Sequence, residues 1–171
     1  VKYLSLGEKI NIIDVGASDG VATKFFKNNL DTNKILCFEP NKPYVKILKN
    51  LKLNNLLVYD YGISQNNRKF KVFYPRYKFF GKNLDLITYT FYNKKDLIKQ
   101  INTDFKFKKN ISIVQKFINL KKVTKIKYKI SLIKIDVNGH EYPVVKGLRN
   151  IIKKDRPVLI VETDKNIKKI E

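Results

Sequence analysis

Apolar runs and amphipathic stretches alternate along residues 10–59, the order of a strand–helix–strand–helix–strand unit. Ile10–Val15 reads as a strand, and Asp19–Asn29 as a helix in which Val21, Ala22, Phe25, Phe26 and Leu30 recur at helical spacing. Ile35–Phe38 is a second strand. The next helix opens at Asn41, carries Pro43 in its first turn and presents Tyr44, Ile47, Leu48 and Leu51 on one stripe. Leu56–Tyr59 is a third strand. The pattern resumes at Ser131–Ile135, an apolar run broken only by Lys134, as expected of a central parallel strand. A helix over Glu141–Ile152 has Glu141 and Pro143 at its start and Lys153 and Lys154 at its end, the charge order its dipole favours. Gly147 inside it costs about 1 kcal/mol against alanine, which points to close packing there. Pro157–Val161 completes the series as a fifth strand.

Between residues 63 and 130 the pattern is less regular, and this segment is assigned to a sheet edge and to acceptor binding. Lys69–Tyr74 alternates, with Phe70, Val72 and Tyr74 on one face, after a polar turn at Gln65-Asn66-Asn67; it reads as an edge strand or hairpin. Residues 76–92 interleave aromatic and basic side chains, a mixture that suits stacking on sugars or bases and equally suits covering a sheet edge. Lys125–Ile130 alternates again and reads as a strand. The whole chain is expected to form one α/β domain with a mainly parallel sheet between two helical layers.

The candidate chemistry lies at two strand ends. Ile12-Ile13-Asp14-Val15-Gly16-Ala17-Ser18-Asp19-Gly20 is a strand, a tight glycine turn and a helix start, and the following strand ends in Glu39. In a doubly wound sheet an acid at that second tip takes a ribose diol. A dinucleotide loop needs a glycine where this chain has Ser18, and its third glycine is replaced by Val21. The P-loop pattern fails as well, because Gly20-Val21-Ala22-Thr23 stands where Gly-Lys-Ser/Thr is required. With Asp14 before the loop and Asp19 inside it, the electrostatics favour a cation. S-adenosylmethionine, which carries an ammonium and a sulfonium and no phosphate, fits better than any nucleotide.

Three segments in order carry a family likeness. Asp14-Val15-Gly16-Ala17-x-x-Gly20, Phe38-Glu39-Pro40-Asn41 and Leu132-Ile133-Lys134-Ile135-Asp136-Val137-x-Gly139-x-Glu141 resemble the signatures of the FkbM-type S-adenosylmethionine-dependent methyltransferases. Val144–Leu148 and Pro157–Glu162 fit the same pattern, and Asn138 departs from it where the family usually has Glu. The resemblance implies a Rossmann-like class I methyltransferase fold. The chain ends too soon after Glu162 for the usual last strands, so an edge beside the fifth strand is expected to be covered by a second copy or a partner domain. The cofactor-binding set is then Asp14, Gly16, Ala17, Ser18, Asp19, Gly20, Glu39, Pro40, Tyr61 and Asp136, with S-adenosyl-L-methionine as cofactor and no metal. Asp136, His140 and Glu162 are the candidates for a catalytic base. His140 is the only histidine and has an unperturbed pKa of about 6.5.

The expected activity is O-methylation of a hydroxyl on a glycan or small metabolite. A ribose 2′-O-methyltransferase acting on RNA would use a Lys-Asp-Lys-Glu set, for which Lys24, Asp136, Lys165 and Glu162 are imperfect matches. A non-catalytic binding module is the third reading. The net charge of +21 on 171 residues invites nucleic acid, yet among 36 basic residues the arginines are Arg68, Arg76, Arg149 and Arg156 alone. Arginine is the usual residue for bidentate phosphate recognition, so the lysines read as a solvated surface and nucleic acid is not favoured. Cys37, the single cysteine, reads as a buried core thiol. No apolar stretch reaches the roughly 20 residues of a membrane helix, and a cytoplasmic location is the expectation. Methionine is absent, so the chain is expected to be a processed form or a piece of something longer.

Overall fold

The computed structural model describes residues 8–106 and 108–162. In chain order the elements are β1 (Ile10–Val15), α1 (Val21–Asn29), β2 (Thr32–Phe38), α2 (Lys42–Asn50), β3 (Leu56–Tyr59), β4 (Gly62–Ile63), β5 (Arg68–Phe79) and β6 (Lys82–Asp85). Then come α3 (Lys94–Asp104), β7 (Ile111–Lys121), β8 (Leu132–Ile135), α4 (Glu141–Asp155) and β9 (Val158–Val161), with short 3-10 turns at Ile87–Tyr89 and Lys108–Asn110.

Two sheets result. The first is parallel throughout, in the order β3-β2-β1-β8-β9. The chain winds outward from β1 to β3, then crosses back to place β8 on the other side of β1. That reversal opens a crevice beyond the carboxyl ends of β1 and β8, the place where such sheets bind ligands. The strands at the centre are apolar because helices cover both faces: Ile12, Ile13, Ile35, Ile133 and Ile135 have no exposed surface. The core on one face joins Ile13, Leu36 and Ile133 to Val144, Leu148 and Ile151 of α4. On the other face Ile12, Ile35 and Cys37 pack on Phe26 of α1 and Leu48 of α2. Gly147 permits the α4 contact, because a Cβ there would strike the Ser64 carbonyl just after β4.

The second sheet has the order β4-β7-β5-β6, with β5 antiparallel to both β6 and β7. It accounts for the irregular segment. The Lys69–Tyr74 run is an interior strand rather than an edge: it extends over residues 68–79, Val72 and Tyr74 are buried as its alternation requires, and it makes a hairpin with β6. Sequence pattern assigns neither α3 nor β7. Asn93 caps α3 by accepting from the Lys95 N–H, with Asp96 in the first turn, a signal present in the sequence. β7 is masked by Phe117, which faces solvent and breaks the apolar alternation.

Three expectations are corrected. Lys125–Ile130 is not a strand, because residues 122–131 have no ladder partner. Its alternation comes instead from Ile126, Tyr128 and Ile130 seating on the first core, with the Ile130 N–H donating to Asp155. In α1 the buried stripe is Thr23 and Phe26, while Val21 and Phe25 face solvent. In α2 it is Val45 and Leu48, leaving Ile47 outside. Among the described residues β9 pairs with β8 alone. No helix among them is long and apolar enough to cross a membrane.

Candidate functional site

A cleft of about 220 Å³ opens at the carboxyl ends of β1, β2 and β8. Gly16, Ser18, Glu39, Pro40 and Asp136 line its floor, and Asn41, Tyr44, Val137 and Asn138 flank them. Ile87, Thr88, Thr90, Tyr92 and Ile118 of the second sheet and its connections form the opposite wall. A larger cavity of about 410 Å³, lined by Lys9, Lys27, Asn33 and Lys52 among others, lies at the amino end of the sheet. Ligands of parallel sheets sit at the carboxyl end, so the smaller cleft is the site.

The glycine turn is built by close approach. Gly16 has φ +75°, and a Cβ on it would run into the Asp136 backbone carbonyl. No other residue lets the loop after β1 lie this close to the end of β8. The turn presents the Ser18 N–H to Glu39 Oε2 at 3.0 Å, while the Asn41 N–H donates to Oε1 at 2.7 Å. Glu39 is 3% exposed. Burial pushes its carboxyl up, and the two backbone donors offset part of that. Each carboxylate oxygen keeps a lone pair for a further donor. Beside it Asn41 Oδ1 is buried without a hydrogen-bond partner. The floor therefore holds unused acceptors, which suits a ligand rich in hydroxyl and amino donors.

Lys134, which in the sequence is only an interruption of an apolar strand, organises the strand tips. Its Nζ stands 3.4 Å from Asp14 Oδ1, 3.2 Å from Asp136 Oδ2 and 3.2 Å from the Gly16 carbonyl to which it donates. Burial would lower its pKa, but Asp14 and Asp136 outweigh this and hold it above the usual lysine range. The signal was legible: one charge in a central strand must be paired. Asp136 also meets Glu162 at the end of β9. Burial works to raise the Asp136 pKa, yet the hydrogen bond with Glu162 and the charge of Lys134 bring it below the usual value. That same hydrogen bond, followed by burial and the Asp136 charge, lifts Glu162 to about 7.

The other sequence candidates sit away from the cleft floor. Asp14 is fully buried, accepts from the Thr23 hydroxyl at 2.8 Å and faces Lys134, so it braces the scaffold. Burial raises its pKa, with Lys134 acting in the opposite direction. Ala17 packs in the core beneath the turn. Asp19 accepts from the Val21 N–H at the start of α1, which Gly20 caps. Tyr61 packs edge-on against Phe38, with Lys121 over its ring. Asp14 is thus spent on structure, while Asp19 is exposed at the start of α1.

His140 is placed differently from expectation. It is 5% exposed, stacks on Tyr92 with centroids 4.1 Å apart, and its Nε2 lies 3.1 Å from Ser64 Oγ. Burial, with the nearby Arg68 charge, lowers its pKa to about 4. It stands behind the cleft wall formed by Tyr92. Glu141, the next residue, accepts from the Val137 and Gly139 N–H groups and fixes the loop carrying Asn138, whose φ is 52°. Lys24 lies on the exposed side of α1, and Lys165 is outside the described residues.

No curated protein matches the chain. The fold is similar to that in a crystal structure of methyltransferase FkbM from Methylobacillus flagellatus KT, with a TM-score of 0.56 and 16% identity over 90% of this chain and 32% of that one. The chain thus spans about a third of that protein's length, and the likeness identifies a Rossmann-like methyltransferase fold. The model of the methyltransferase FkbM domain matches residues 14–171, and the chain belongs to that family.

Proposed function

We propose that this domain transfers a methyl group from S-adenosylmethionine to a hydroxyl of a glycan or small metabolite. The observation that carries the reading is Glu39, a buried carboxylate at the tip of β2 whose two oxygens are oriented by backbone donors and face the cleft. A ribose diol supplies the two donors that the remaining lone pairs accept. Asn41 Oδ1, buried and unpartnered, offers an acceptor for an amino or hydroxyl group of the same ligand. Nothing in the turn from Gly16 to Gly20 offers the glycine pattern a pyrophosphate needs. When bound, this cofactor supplies an electrophilic methyl carbon on a sulfonium.

The chain's own contribution is positioning and proton removal. Methyl transfer is an in-line displacement, so the rigid turn pinned by Lys134 through the Gly16 carbonyl supplies orientation. Asp136 lines the cleft, and its hydrogen bond and charge, together with burial, hold the Glu162 pKa at about 7. A carboxyl with a pKa of about 7 is matched to taking a hydroxyl proton near neutrality. We therefore place the base function on the Asp136–Glu162 pair. His140 takes a positioning role, because its Nε2 is engaged by Ser64 and its pKa of about 4 makes it a weak base.

The test is to incubate the protein with methyl-labelled S-adenosylmethionine and separate pools of oligosaccharides, small hydroxylated metabolites and RNA. Label in the first or second pool, dependent on Asp136, is the expected result. Label in RNA alone, or calorimetric binding of NAD in place of S-adenosylmethionine, would overturn the reading.

A further inference from the structure

The β5–β6 hairpin ends in a two-residue turn at Phe80 and Gly81, both with positive φ, closed by the pair Phe79–Lys82. Such turns favour Asn, Asp or Gly at the first central position. Here that position holds Phe80, a bulky residue at φ 44° and 89% exposed. Phe79 beside it is 56% exposed and Leu84, two residues beyond Lys82, 57%. A free-standing turn gains nothing for its own fold from two exposed phenylalanines, one of them in a strained backbone conformation.

The surroundings identify the occupant. Residues 68–84 contain Arg68, Lys69, Lys71, Arg76, Lys78 and Lys82 and no acid. Arg76 is held by Asp85 at the hairpin base, which leaves Lys78 and Lys82 flanking the aromatic tip. Apolar side chains at a projecting tip with lysines just behind them match the acyl–headgroup boundary of an anionic bilayer. A second copy of a chain with net charge +21 is disfavoured by repulsion. Base stacking would leave Leu84, 57% exposed on the same hairpin, without a partner, whereas an acyl–headgroup boundary takes aliphatic and aromatic side chains alike. β7 pairs with β5 as far as Tyr77, so the tip at Phe80 extends about 10 Å past that strand at strand rise. The base of the hairpin borders the cleft, since Ile87 follows β6 and lines it.

We propose that this hairpin docks the domain on an anionic lipid surface, with Phe79 and Phe80 seated among the headgroups and Lys78 and Lys82 on lipid phosphates. Docking does not depend on methyl transfer.

The chain has no tryptophan, so Phe80→Trp creates a single reporter. Its emission should shift to shorter wavelength on vesicles of equal phosphatidylglycerol and phosphatidylcholine, and stay put on phosphatidylcholine alone. In co-sedimentation with the mixed vesicles at about 0.1 M salt, the Phe79→Ser/Phe80→Ser double variant should bind at least about tenfold more weakly than wild type. Absence of wild-type binding, or full binding by the serine variant, would overturn the proposal. So would an emission shift of the Phe80→Trp variant in buffer accompanied by a dimer in sedimentation, which assigns the tip to a second copy. A shift with homopolymeric RNA and none with vesicles would overturn it equally.

Discussion

The Lys134 ammonium is paired with Asp14, a carboxylate with no exposed surface, across the two strands that open the cleft. Removing one member of a buried pair leaves the other charge uncompensated, at a cost of about 3–5 kcal/mol. Lys134→Met should therefore lower stability by that order in urea denaturation. Adding Asp14→Asn should return much of it, since the double variant buries no lone charge. A Lys134→Met protein as stable as wild type would show that the pair does not brace the tips.

Glu39→Ala removes the acceptor proposed for the ribose hydroxyls. A charge-assisted hydrogen bond is worth about 1.5–3 kcal/mol, so calorimetry should show affinity for S-adenosylmethionine falling about tenfold to a hundredfold. Circular dichroism is needed alongside it, because the Ser18 and Asn41 N–H groups also lose their partner. Unchanged affinity in a folded variant would sink the ribose assignment.

The Glu162 pKa lies at about 7 against an ordinary 4.5. Between those values the folded state holds a proton that the unfolded state releases, so this group's stabilisation is present at low pH and lost as pH rises through about 7. Glu162→Gln should abolish that component and gain on wild type as pH increases. Turnover runs the other way: it should rise through about pH 7 in wild type as Glu162 ionises. In the glutamine variant it should drop by about 10²–10⁴. A pH–rate profile identical in the two proteins would remove Glu162 from the proton path.

His140 should behave as a packing residue. His140→Ala empties the space beside Tyr92 and leaves Ser64 Oγ without its partner, costing about 2–4 kcal/mol. The fold keeps the ring neutral down to about pH 4, whereas an unfolded histidine takes its proton near 6.5. Its contribution is therefore complete above 6.5 and is lost as pH falls toward 4. The stability gap between wild type and variant should widen from about pH 5 to about pH 7. The rate profile of the folded variant should keep its acid limb, and loss of that limb would restore His140 as the base.

The parallel half of this molecule was legible in its sequence because burial on two faces forces continuous apolar strands, and helices must alternate with them. The strands Ile10–Val15 and Leu56–Tyr59 have the expected limits, and Glu39 and Asp136 lie at strand tips as their positions in the pattern required. The glycine turn was legible as well, since an apolar strand running into Gly16 and Gly20 signals it, whereas the close approach of Gly16 to Asp136 exists only because β1 and β8 are neighbours. Tertiary structure alone decided what each charge does. Asp14 lies inside β1 and Asp136 just past β8, and no local pattern reveals that the first is sealed against Lys134 while the second, which also touches Lys134, lines the cleft. Nor does any local pattern reveal that His140 is sealed against Tyr92 from another sheet, or that β7 lies between β4 and β5. Those outcomes depend on contacts between residues far apart in the chain. Such contacts set the burial, and burial sets the pKa and the role of each group.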